Sequence, residues 1–280
     1  MHRRASGRWS AARWADRAVI GLVSLLILAP VVVVFLYAFA TKWFPSHWWF
    51  PQEFGTRWFE RLLGLGNIVN AMLNSYMIAA IVTVATLAVT FPAAYVFGAR
   101  TRRNSGPLVR LIEGFSSVPL AFPTIAVGLG LLPVYAKMGL LSSVPGVVLA
   151  HMVMAVPYAL RAMVGAFVMV PPEYEEAARN LGAGRFYVLR RVYLPLVWPG
   201  VMAGGIFAFS WSLNEFVLVL LLGYPNIETI PVQIYQFVGG YYLHPQQAAA
   251  LGLFLLVPTL ALMFLVERTV RGSTVVPAGA

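Results

Sequence analysis

Residues 172–195 read PEYEEAARNLGAGRFYVLRRVYLP, a polar and charged island between two long apolar segments. Pro172 suits the first position of a helix. Glu173, Glu175 and Glu176 follow in its first turn, where carboxylates complement the helix dipole. Ala177 and Ala178 give a small surface that allows close approach. Gly182 can take the left-handed conformation that ends a helix. A second short helix then carries Arg190 and Arg191, with an apolar side of Val188, Leu189 and Val192, and Leu194-Pro195 closes it. A chain that merely spans a bilayer has no use for such an island; one that must grip a soluble partner does. A solvated amphipathic loop is the alternative reading of the same residue types.

Outward from the island the chain is membrane-like. Of 280 residues 60% are hydrophobic and 11% charged, against about half and about a quarter in a soluble domain. Six segments approach the roughly 20 apolar residues a bilayer requires: 18–40, 69–98, 108–135, 144–170, 197–222 and 247–266. The first follows Arg3, Arg4, Arg8, Arg13 and Arg17 but is far longer than a signal-peptide core, so it reads as a retained span. This gives an all-α, polytopic membrane protein with six transmembrane helices and one folded loop. The divisions are a polar start at 1–17, a first span with its loop at 18–68, a membrane domain at 69–266 containing the loop 171–196, and a tail at 267–280.

The net charge of +10 follows the positive-inside bias rather than nucleic-acid binding. Of 20 Lys and Arg, one set of connections holds only Lys42, Arg57, Arg61 and Lys137. The other holds the N-terminal arginines, Arg100, Arg102, Arg103 and Arg110, the island's Arg179, Arg185, Arg190 and Arg191, and Arg268 and Arg271. The bias puts both termini and the island in the cytoplasm. Trp43, Trp48, Trp49 and Trp58 crowd the first outer connection, as interfacial aromatics do. The outer loop 223–245 has room for a short re-entrant or surface helix.

Pro92, Pro119, Pro123, Pro157 and Pro258 fall inside the apolar segments. Membranes tolerate such breaks where protein or water satisfies the freed backbone. In the third segment, with Gly128 and Gly130 close by, the kinks read as part of a moving pathway. Glu215, beside Trp211 and Asn214, is the acidic group within the fifth segment. Two readings stand for it: a pathway contact for an amine-bearing solute, with Trp211 and Tyr235 as cation–π surface, or a group that is protonated, or bonded to Asn214 or another helix, and holds a dimer interface together. Arg161 in the fourth segment reads as a snorkelling cation. No cysteine is present, and His2, His47, His151 and His244 are scattered, so no metal site is expected. A phosphate-binding GxxxxGK[ST] loop is absent, so no cofactor and no ATPase site are expected in this chain.

Glu176-Ala177-Ala178, three residues, Gly182, nine residues, Val192, one residue, Leu194-Pro195 resembles the signature of binding-protein-dependent ABC importer permeases, with Val in place of Ile. Asn74-Ser75, the Pro119 to Gly130 region, Pro157 and Asn214-Glu215 extend the resemblance across most of the membrane domain, nearest to the spermidine/putrescine-type branch. The resemblance implies a permease subunit of the bacterial inner membrane that imports a small solute, a polyamine or related amine or phosphonate. Glu173, Glu176, Ala177, Ala178, Gly182, Leu194 and Pro195 would then form a coupling loop that docks an ATPase. The implied partners are two ABC ATPase subunits that bind the ATP, a second and different permease, and an extracytoplasmic solute-binding protein. An ion-coupled secondary transporter is the rival class, and it would need ionisable pairs in several spans.

Overall fold

The computed structural model describes residues 5–43, 49–100, 114, 117–239 and 243–273. Residues 108–113 of the third segment, Trp48, His2, His47, and the basic residues Arg3, Arg4, Arg102, Arg103 and Arg110 lie outside them. The chain is built from helices α1 (Ala5–Phe39), α2 (Arg57–Leu63), α3 (Gly66–Ala94), α4 (Thr124–Met138), α5 (Val144–Met169), α6 (Pro172–Asn180), α7 (Arg185–Val188), α8 (Leu194–Asn214), α9 (Ile230–Gly239) and α10 (Pro245–Ser273). Two short strands, β1 (Ala40–Lys42) and β2 (Glu53–Phe54), form an antiparallel pair. Among the described residues five helices are long and apolar enough to cross a membrane, and α4 is a shorter apolar helix. The fold is therefore all-α and polytopic.

Contacts divide the chain into two units, Met1–Leu65 with Ile234–Phe254, and Gly66–Gln233 with Leu255–Ala280. In the first unit the strand pair sits between α1 and α2. Trp58 Nε1 donates to the carbonyl of Ala40 at 2.6 Å, and Phe59 packs against Phe39 and Phe254. The most apolar stretch within Asp16–Phe39 has no buried residue, which suits a helix whose solvent is lipid, and only its end is covered, with Ala38 fully buried.

In the second unit α3, α5 and α8 form the core. Lipid is as apolar as a leucine, so helices in a membrane gain by close approach rather than by escape from water. Glycine supplies the approach here. A Cβ on Gly200 would stand 2.3 Å from Ala166 Cβ, and one on Gly98 would stand 2.4 Å from Phe167 Cβ. Phe167 and Met163 are fully buried in the cluster around these contacts, and Ile78 and Val82 in a second cluster with Ala155 and Ala208. The hydroxyls of Ser75, Thr83 and Thr90 donate to the carbonyls four residues earlier, at 2.9, 2.7 and 2.7 Å, so they bring no unpaired donor into the bilayer. Ser75 Oγ also accepts from the Ile230 N–H at 2.8 Å, and Asn74 Nδ2 donates to the Glu228 carbonyl at 3.1 Å. The Asn-Ser pair at the head of the second span thus pins the start of α9, the helix that the loop 223–245 does contain.

Three readings of the sequence are corrected. The third segment is not one helix: a 3₁₀ turn (Val118–Ala121) is followed by extended Phe122 and Pro123 before α4 begins. A residue before proline is pushed out of the helical region, and Pro123 has no N–H to carry a helix through. The fifth segment is also interrupted. α8 ends at Asn214, Glu215 is extended (ψ 126°), and a new helical turn runs over 217–223. Asn214 Nδ2 folds back onto the Ser210 carbonyl at 2.8 Å, and Glu215 Oε1 accepts the Leu218 N–H at 3.0 Å. Two polar side chains competing for backbone partners end one helix and start the next. Finally, Leu194-Pro195 does not close the island's second helix. α7 runs through a π-helical turn (Leu189–Tyr193) directly into α8. The widened turn absorbs the missing N–H of Pro195, so the helix continues into the membrane.

Candidate functional site

The island begins with Pro171 extended and Pro172 at the start of α6. Glu173 and Glu175 fall in the first turn and Arg179 in the last. Glu175 Oε1 lies 2.6 Å from an Arg179 guanidinium nitrogen, one helical turn on. At its other end α6 closes in a Schellman motif. Gly182 takes φ +85°, its N–H bonds to the Arg179 carbonyl at 2.9 Å, and the Ala183 N–H bonds to the Ala178 carbonyl at 3.0 Å. That pair of bonds satisfies carbonyls that a helix end otherwise leaves open, and it requires a left-handed residue at this position.

No residue of α6 is buried. Glu173, Glu176 and Ala177 are exposed and Ala178 half-buried, while Leu194 is half-buried and Pro195 exposed at the foot of α8. The sequence reading did not single out the side chains that stand out most. Leu181 is 89% exposed, Phe186 74% and Tyr187 58%, and Tyr174 is exposed with them. They form an apolar and aromatic fringe around the Gly182–Gly184 bend on an otherwise charged element. Their signal in the sequence is apolar residues either side of a glycine pair that no helical period ties to a core. Between α6 and the ends of the spans lies a cavity of about 480 Å³, bordered by Glu175, Arg179, Arg185, Phe167 and Tyr193.

The fifth span's interruption gathers the other candidates. Asn214 is exposed and Glu215 half-buried at the break. Trp211 stands one turn before, with its ring edge-on to His151 at 5.6 Å. His151 is fully buried, and its Nδ1 meets Ser212 Oγ at 2.8 Å, joining α5 to α8. So Trp211 leans on the core, while Asn214 and Glu215 face the gap between two helix ends. Arg161 is exposed on α5, and Tyr235 is exposed on α9.

Against the protein-family models, residues 90–273 match the binding-protein-dependent transport system inner membrane component. This chain belongs to that family. The permease is 34% identical over 204 residues to the ABC transporter permease protein ORF1 of Streptomyces antibioticus, covering 72% of this chain and 87% of the other. It is 26% identical over 210 residues to the spermidine/putrescine transport system permease protein PotC of Escherichia coli strain K12, covering 75% and 76%. These relatives place the permease in the spermidine/putrescine-type branch and in a family of transport subunits of the inner membrane rather than enzymes. In fold it is similar to a chain of the bacterial alginate ABC transporter in complex with an alginate pentasaccharide-bound periplasmic protein, with a TM-score of 0.72 at 15% identity over 98% of this chain and 99% of that one. It also resembles a chain of the inward-facing MetNI methionine ABC transporter, with a TM-score of 0.61 at 18% identity over 74% and 95%.

Proposed function

We propose that this permease forms half of the membrane path of an ATP-driven importer, and that the island 171–196 docks a cytoplasmic ATPase. The observation that carries the docking reading is the exposure of Leu181 and Phe186 at 89% and 74% at the bend that follows α6, a helix of which no residue is buried. Burial of a Leu or Phe side chain is worth about 1.5–3 kcal/mol each, so covering the two adds roughly 3–6 kcal/mol to an association. Glu173, Glu176, Ala177, Ala178 and Gly182 frame that fringe. Leu194 and Pro195 join it to the fifth span. The basic connections put the island and both termini in the cytoplasm. The chain works with two ATPases, which bind the ATP that it does not bind itself, with a second and different permease, and with an extracytoplasmic solute-binding protein. Uptake by cells is expected to stop when ATP is depleted and to survive collapse of the proton gradient. The reverse result would make the permease an ion-coupled transporter.

The solute is read as a small amine of the polyamine class. The break after α8 supports this: the last carbonyls of a helix carry partial negative charge, and Glu215 adds a carboxylate beside them. Discontinuous helices at membrane depth are a recurrent way to build a solute site. Asn214, Glu215 and, one turn back, Trp211 are the pathway residues of this reading. Glu215→Gln keeps an oxygen that can accept the Leu218 N–H, so the helix break persists while the charge is lost. Spermidine uptake at a subsaturating concentration is expected to fall roughly tenfold, about the 1.4 kcal/mol of one lost charge-assisted contact, with membrane levels of the protein unchanged. Uptake equal to the parent's would remove Glu215 from the pathway and leave it as a helix cap alone.

A further inference from the structure

A docking element is useful only if its movement reaches the spans, and α6 is poorly placed for that. It buries no residue. It leaves α5 through Val170-Pro171 and reaches α7 through the Gly182-Ala183-Gly184 bend. Beneath it lies the cavity of about 480 Å³. A helix mounted over a gap and followed by two glycines would flex when pulled.

A polar strap crosses the gap. Tyr193 Oη donates to Glu175 Oε2 at 2.6 Å. The other oxygen of the same carboxylate meets Arg179 at 2.6 Å, so both oxygens are engaged. Tyr193 itself is 2% exposed and is the last residue of the π-helical turn Leu189–Tyr193 that joins α7 to α8. Its ring lies 5.4 Å from that of Tyr95, at 76°, and 5.7 Å from that of Phe167. Tyr95 opens the other π-helical turn at this level, Tyr95–Arg100, at the end of α3. Phe167 belongs to the last turn of α5 and also packs on Phe91 of α3 at 5.6 Å. One side chain at the foot of α8 therefore touches the ends of two other spans with its ring and the docking helix with its hydroxyl. Edge-to-face aromatic packing resists sliding because it is directional, and π-helical turns concentrate at functional sites.

We propose that Tyr193 is the positioning residue that makes α6 and the spans α3, α5 and α8 one moving body, through its hydroxyl on Glu175 and its ring in the aromatic cluster. The purpose of the strap rests on the docking reading, but its existence as a mechanical link does not. The chain has no cysteine, so spin labels can be placed singly. Asn180→Cys on α6 and Val84→Cys on α3, both at exposed positions, report the separation of the docking helix from the membrane core. The measurement is the distance distribution in the complex captured from its host through a tagged copy of this chain, with and without ATP and vanadate. In the parent a single narrow distribution is expected in both conditions. Tyr193→Phe keeps the ring and loses the hydroxyl; Glu175→Ala loses the acceptor. Both are expected to widen the distribution to roughly twice the parent's as α6 opens locally, with the ATPases retained. Glu175→Gln, which keeps an acceptor oxygen, is expected to stay close to the parent. A Tyr193→Phe distribution as narrow as the parent's would overturn the strap. Loss of the ATPases from Tyr193→Phe would also overturn it, by making Tyr193 part of the docking surface. Absence of ATPases from the parent complex would instead sink the docking reading, and the distributions would still report on the strap.

Discussion

Gly182→Asp is expected to abolish uptake and release the ATPases while the chain still enters the membrane at its normal level. Gly182 sits at φ +85°, and no atom outside its immediate neighbours lies within 4 Å of an added Cβ. The effect is therefore one of backbone and charge rather than collision. A side chain in the left-handed region costs about 1–2 kcal/mol, which loosens the two bonds that the Gly182 and Ala183 N–H groups make to α6. The new carboxylate also lands next to Leu181, whose burial against a partner would then require a charge to be desolvated. Gly182→Asn isolates the charge. Asn meets the left-handed conformation at much the same cost as Asp but adds no charge, so it is expected to keep a substantial part of both association and uptake. The checks are tagged-complex composition, uptake and the amount of permease in the membrane fraction. A Gly182→Asp permease that holds its ATPases and transports normally would contradict docking at this bend.

The second large effect belongs to the membrane core. Gly200→Val is expected to remove folded permease from the membrane. An added Cβ would stand 2.3 Å from Ala166 Cβ and 3.2 Å from the Ala162 carbonyl. Both obstacles are backbone or a Cβ, so no rotamer change makes room. Overpacking a tight core ordinarily costs about 1–3 kcal/mol, and here two more methyl groups are forced into the same seam between α5 and α8. Gly205→Ala is the control. Its Cβ would meet Leu87 Cδ1 at 3.4 Å and Thr83 Cγ2 at 3.8 Å, an ordinary contact, so thermal unfolding of the purified permease is expected to change little. A Gly200→Val permease with wild-type melting and wild-type yield would show that α8 does not approach α5 as described.

The sequence reveals the broad architecture because apolar length is a local property: α3 and α5 stand close to where their segments are read, while α1 and α10 run on past theirs, to Ala5 at one end and Ser273 at the other. Hydropathy sums along a window, however, and two interruptions are invisible to a sum. Phe122-Pro123 is flanked by apolar residues on both sides. Glu215 is a single carboxylate in a run of Leu, Val and Phe, and only its bond to the Leu218 N–H shows that it starts a new turn. The island was legible through its charges, its proline and its glycines. Its continuation into α8 was not, since a proline at 195 reads as a stop unless the π-helical turn before it is known. Contacts across the chain were beyond reach by spacing alone. Tyr193 meets Glu175 at a separation of 18 residues, and His151 meets Ser212 at 61. No period links them, and they exist because three helices pack on glycine. The fringe of Leu181 and Phe186 is illegible for the opposite reason: apolar side chains beside a helix read as core until a structure shows them uncovered.

The docking surface can be tested without knowing the solute. A photo-crosslinking amino acid placed at Leu181, and in a second variant at Phe186, is illuminated in intact cells and the adducts are identified by mass. The expected result is a covalent adduct with a nucleotide-binding subunit from both positions, and none from Val84 on α3. Adducts with lipid alone at Leu181 and Phe186, or ATPase adducts only from other faces of the permease, would contradict the assignment of this bend as the place where the motor takes hold.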